Sequence, residues 1–167
     1  MKKKISMIAR VGVLILVFTS FSMAQRYHLT YAAGHFSGDS SDVYSNFGYS
    51  LSNSGLRSWL FAPVVFPDSA NGMQVTRLSY SLLDNSVTGY IAVSLEKVDR
   101  WTGIATTVGF LASDYSGASN SIAYLNKPKS SMNGRGIDNN RWAWYLMAYF
   151  SEGDTPLNLY HVTIRYE

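Results

Sequence analysis

The chain has 167 residues, of which 15% are charged and 14% aromatic, and it has no cysteine. Its length fits one ordinary domain with a real core; the aromatic, charge-poor balance favours strands over amphipathic helices, and disulfide scaffolds and cysteine nucleophiles are excluded. Four of the 14 basic residues behind the formal net charge of +3 are Lys2, Lys3, Lys4 and Arg10, and the rest of the chain, which holds all 11 acidic residues, is near −1, a poor match to nucleic acid or an anionic membrane.

Those four cations open a targeting segment. An apolar run over residues 11–18 follows them, and Ser22-Met23-Ala24 places small residues where a signal peptidase reads. Residues 1–24 therefore read as a signal peptide, and the protein is expected in the periplasm, at the cell surface or outside the cell. The missing cysteine at the cleavage point excludes a lipid-anchored lipoprotein. No later apolar run approaches the roughly 20 residues of a membrane-spanning helix.

Residues 25–56 are rich in Ser, Gly, Asn and Asp. They read as a flexible segment with a short strand over 27–32 and another near 47–51. Residues 57–66 are aromatic and apolar, and end at the turn signal Pro67-Asp-Ser-Ala-Asn-Gly. In 73–83, Leu78, Tyr80 and Leu82 share one face of a strand, opposite Arg77, Ser79 and Ser81. Residues 90–98 place Ile91, Val93 and Leu95 inward, with Ala92, Ser94 and Glu96 outward. Shorter strands are expected over 104–112 and 121–125, then a loop over 127–136.

Residues 141–150 form the strongest strand signal. Trp142, Trp144, Leu146, Ala148 and Phe150 share one face; Ala143, Tyr145, Met147 and Tyr149 share the other. A strand apolar on both faces belongs in the middle of a sheet or under a partner. Residues 157–166 close the chain, with Tyr160, Val162, Ile164 and Tyr166 on one face. Seven to nine short strands with turn chemistry between them predict an all-β fold, an antiparallel β-sandwich of jelly-roll type over residues 57–167. An up-and-down barrel is the alternative.

The run Phe61-Ala-Pro-Val-Val-Phe-Pro-Asp-Ser-Ala leads into Val75-Thr-Arg-Leu, Asp84-Asn and Val93-Ser-Leu-Glu-Lys. Ile137-Asp-Asn, Tyr145-Leu and Tyr160-His-Val-Thr-Ile-Arg-Tyr follow. This order resembles a loose group of secreted bacterial β-sandwich proteins, over roughly residues 59–166. Those proteins carry a Val-Thr strand, an acidic turn and a closing strand of the type Val-x-Ile-x-Tyr. The turn here has Pro67-Asp-Ser-Ala where a glycine is expected before the alanine. The resemblance implies fold and export, and brings no activity.

Catalytic patterns are weak. A glycosidase needs two carboxylates about a sugar bond; Glu96 is on an outward strand face, Glu152 is in a turn and Glu167 is terminal. There is no Gly-x-Ser-x-Gly, and the spacing of His28, His35 and His161 does not suggest a zinc site. Asp138-Asn139 and Asp84 supply hard oxygen that would suit calcium, but an Asx-turn explains the same residues and is preferred.

The aromatics carry the one ligand idea. Trp59, Trp101, Trp142 and Trp144 are the candidates, with Tyr145 and Tyr149; Trp142 and Trp144 lie on one face about 7 Å apart, and Trp101 sits in the turn Asp99-Arg-Trp-Thr-Gly. That set suits stacking on neighbouring sugars of a polysaccharide, yet the same alternation is what a core strand shows, and core packing is the stronger reading. The sequence thus points to a secreted, non-catalytic protein with a structural or interaction role, self-assembling as a homo-oligomer. The alternative is a carbohydrate-binding module using exposed aromatics.

Overall fold

A computed structural model describes residues 25–38, 44–46, 50–53, 57–113 and 121–167. The leader lies outside them. Within them the fold is all-β, two antiparallel sheets face to face, a jelly-roll-like sandwich as the strand spacing predicts.

Eleven strands are described: β1 (Tyr27–Ala32), β2 (Ser37–Gly38), β3 (Tyr44–Asn46), β4 (Leu51–Asn53), β5 (Ser58–Val64), β6 (Val75–Asp84), β7 (Ile91–Asp99), β8 (Ala105–Ala112), β9 (Ala123–Pro128), β10 (Trp142–Phe150) and β11 (Leu157–Tyr166). One sheet runs β3-β4-β11-β6-β9, with β1 also on β11. The other runs β2-β5-β10-β7-β8. β1 pairs with residues 161–166 of β11 and β4 with residues 157–159, so β1 and β4 lie end to end along one side of it. The division expected at residue 56 does not separate the core. Ala33, Phe36 and Leu51 are fully buried in it, and described strands before residue 56 join both sheets.

Period-two patterning dictates which side chains fill the space between the sheets. β10 contributes Trp144, Leu146, Ala148 and Phe150, β7 Ile91, Val93 and Leu95, and β6 Leu78, Tyr80 and Leu82. Tyr80 crosses the sandwich and donates its hydroxyl to the Ile91 carbonyl at 3.0 Å, so its one polar atom is satisfied in the core. Burial, and the nearby Asp84 charge, push its phenol far up. β11 breaks phase. It buries Leu157 and Leu159, then Val162, Ile164 and Tyr166, because the register shifts between Leu159 and His161. That bulge leaves Tyr160 half-buried instead of in line with Val162.

A polar knot ties the β6–β7 loop to the β10–β11 loop. Asp154 Oδ1 accepts from the Ser86 hydroxyl at 2.5 Å and from the Val87 N–H at 3.0 Å. Ser86 Oγ accepts in turn from the Gly89 N–H at 2.6 Å. The two loops touch so closely that a Cβ on Gly89 would stand 2.9 Å from Gly153 Cα and 2.9 Å from Ser86 Oγ. Gly89→Ala is therefore expected to cost about 1–3 kcal/mol through forced backbone shifts, seen as a lower urea midpoint.

The Ser86 hydroxyl holds the Asp154 carboxyl below the usual aspartate range. The Trp101 N–H, then Arg141, do the same for Asp99. A carboxylate with a depressed folded pKa contributes stability above its unfolded value, and that contribution is lost as pH falls through the folded one. Thermal melts should thus drop steeply below about pH 4, and Asp154→Asn should flatten that acid limb while lowering stability at neutral pH.

Candidate functional site

The sheet β2-β5-β10-β7-β8 has an outer face unlike ordinary solvated surface. β5 turns Ser58, Leu60, Ala62 and Val64 inward, so Trp59, Phe61 and Pro63 must point out. β10 turns out Ala143, Tyr145, Met147 and Tyr149. Antiparallel register aligns these in rows across the strands. Trp59 stands opposite Tyr149, and Tyr149 opposite Ala92. In the next row Phe61, Met147, Ser94 and Phe110 follow one another from β5 to β8. The third row is Pro63, Tyr145, Glu96 and Thr107.

The aromatic side chains pack against one another in two groups. Trp59 and Tyr149 have ring centroids 4.3 Å apart, Tyr90 and Tyr149 5.6 Å, and Phe61 and Tyr145 6.2 Å. Trp59 (44%), Phe61 (44%) and Phe110 (50%) remain exposed, which is unusual for large apolar side chains grouped together. Between them runs a groove of about 260 Å³. Ala92, Ser94 and Met147 form its floor, with Trp59, Tyr90, Tyr149 and Phe110 as its walls. Ala92, Ser94 and Glu96 do face outward, as their alternation requires, but bulky neighbours on β8 and β10 cover them. Ser94 is only 2% exposed, and its hydroxyl has no hydrogen-bond partner among the described residues. A buried hydroxyl left open at the floor of a groove is costly unless something supplies the bond. Glu96 is 5% exposed, and burial, then the Glu96 charge, raise the Tyr145 phenol.

The structure divides the ligand residues expected from sequence. Tyr145 lies on this face. Trp144 does not: it is 4% exposed, packed edge-on against Phe66 at 5.3 Å in the core. Trp142 is on the same inward side, its ring taken by cations, with Lys97 Nζ 4.1 Å and Arg141 Cζ 4.7 Å from the centroid. Burial, then the Arg141 charge, push Lys97 down, and its ammonium donates to the Gly134 carbonyl at 2.6 Å. Trp142 and Trp144 line a second cavity of about 500 Å³ at the sandwich end, beside Asp68, Arg100 and Asn139. Trp101 is 83% exposed in its turn; Asp99 caps that turn, accepting from the Trp101 and Thr102 N–H groups.

The Asp84 and Asp138 oxygens considered for calcium accept hydrogen bonds internally, and Asn139 is held through its side-chain nitrogen. Asp84 accepts from the Ser86 N–H and the Ser113 hydroxyl. Asp138 Oδ1 accepts from the N–H groups of Asn140 and Arg141. The Asn139 side-chain amide donates to the Phe66 carbonyl at 3.0 Å. The bonds from the Ser86 and Asn140 N–H groups are Asx-turn roles, and no group of three metal-ligating acids or histidines occurs among the described residues.

Trp59 and Tyr149 are stacking candidates in the sequence, whereas Phe61, Tyr90 and Phe110 are not, and nothing in the sequence joins the five in one site. Trp59 and Phe61 carried a signal, since they alternate with Leu60 and Ala62 inside one strand. What brings them to Tyr149 and Phe110 is strand order, which a single sequence does not display. The placements predict opposite behaviour for two tryptophans: Trp144→Ala should cost about 3–5 kcal/mol in denaturant unfolding, while Trp101→Ala should stay within about 0.5 kcal/mol of the parent.

No protein-family model and no curated protein matches the sequence. Among solved structures, the fold is similar to the C-terminal carbohydrate-binding module CBM6 of LamC, a marine laminarinase from Zobellia galactanivorans. That match has a TM-score of 0.51 at 17% identity, over 83% of this chain and 98% of that one. It is also similar to the xylan-binding module CBM15, with a TM-score of 0.52 at 8% identity, over 84% of this chain and 97% of that one. At such identities the likeness is one of fold.

Proposed function

We propose that this protein is an exported, non-catalytic carbohydrate-binding module whose ligand lies on the outer face of the β2-β5-β10-β7-β8 sheet. The observation that carries this reading is the groove itself: aromatic walls for stacking on pyranose rings, and a buried, unpartnered Ser94 hydroxyl in the floor to meet a ligand hydroxyl. The fold adds support, being that of two modules whose names describe carbohydrate or xylan binding. A non-catalytic role is favoured by the acids available. Glu96 is the one carboxylate turned outward from these strands among the described residues, and glycoside hydrolysis by the usual route needs a pair. Export rests on the leader sequence; no helix of the described residues is long and apolar enough to cross a membrane.

A structural role through self-assembly is the second reading, and the same exposed aromatics favour it, since such a patch is also what an oligomer buries. The two readings part on one comparison. If the face binds glycan, Trp59→Ala weakens retention on insoluble polysaccharide at least about tenfold, leaves the melting temperature nearly unchanged, and the parent runs as a monomer in light scattering over a concentration series. If the face is an interface, the parent shows a multiple of the monomer mass, and Trp59→Ala dissociates it.

A further inference from the structure

Resting on the glycan-binding reading, we infer that the groove selects uncharged glycans and rejects acidic ones such as uronate or sulfated chains. None of the side chains lining the groove is charged. Glu96 lies two residues from Ser94 on β7 and on the same face, about 7 Å further along the strand. It is buried between its cross-strand neighbours Tyr145 and Thr107, so its field is poorly screened by water. The carboxylate also acts on the residue directly across from it: after burial, it helps to raise the Tyr145 phenol.

Among the described residues, no cation lines the groove to offset it. Lys97 follows Glu96 in the chain but points to the other side, over Trp142. Arg100 and Arg141 stand beyond the far end of the strands, and Arg141 is held by Asp99 at 3.0 Å. Arg57 precedes β5 and lies outside the groove lining. A buried carboxylate this close to the groove repels a second carboxylate or a sulfate and leaves a neutral sugar unopposed. Stacking walls give affinity to any pyranose, while Ser94 and Glu96 choose among them by polarity and charge.

The test is titration calorimetry of the exported chain against neutral hexasaccharides (cello-, xylo- and manno-series) and against hexagalacturonate and a sulfated galactan oligosaccharide. The expected result is that at least one neutral series binds about tenfold or more tighter than either acidic glycan, that Trp59→Ala removes this binding, and that the gap narrows at high salt. Glu96→Gln, checked for folding by circular dichroism, should narrow the gap further, and the ranking by the parent protein stands alone if that variant misfolds. Acidic glycans binding as well as neutral ones, through Trp59, would overturn the selectivity and leave the glycan-binding reading intact. Binding of neither class would sink both.

Discussion

Everything distinctive in this molecule depends on one strand sitting in the middle of its sheet. β10 is paired on both sides, to β5 and to β7, and it is apolar on both faces. One face supplies Trp144, Leu146, Ala148 and Phe150 to the space between the sheets. The other supplies Tyr145, Met147 and Tyr149 to the outer layer. Because period-two alternation is rigid, a slip of one residue would exchange the two sets and ruin core and groove together. The inner set is so tightly packed that this register is fixed, and the aromatic layer outside is positioned by the core beneath it.

The two outer faces of the sandwich show what is special about one of them. On the β6–β11 side, polar groups satisfy one another. The Tyr124 hydroxyl donates to Ser79 Oγ, which donates to the Thr163 carbonyl, and Ser81 meets His161. Thr30 meets Thr163 across the neighbouring strand. Such a face is complete in water and asks for no partner. The β10 side has large rings in the open and a hydroxyl with nothing to bond, so the free-energy gain from covering it is large.

Much of the architecture was legible because alternation is local. The bounds of β1 and β11 and the two faces of β10 follow from residues read in order, and the inward triplets of β6 and β7 do too. Tyr160 shows where local reading stops: the bulge at that point depends on how β6 lies against β11, and no residue type there announces it. The candidate site was less legible for a related reason. Trp142 and Trp144 have the right spacing for two sugars, but spacing does not say which face looks out. The signal of Trp144 is its company, Leu146, Ala148 and Phe150, which needs a dry side. Trp59 and Phe110 are 51 positions apart in the chain and meet only through β10 and β7.

The place of β11 has a bearing on how the molecule comes into being. It follows every one of its sheet partners in the chain, yet it lies between β6 on one side and β1 and β4 on the other. A polypeptide still being synthesised therefore holds three strands whose common template has not arrived. That sheet closes only after β11 is free, through pairings such as Tyr27 with Tyr166 that span nearly the whole described chain. Distant pairings of this kind make closure slow. A late-closing sheet defers its own completion to the last strand, so the earlier strands wait on one template and then close together.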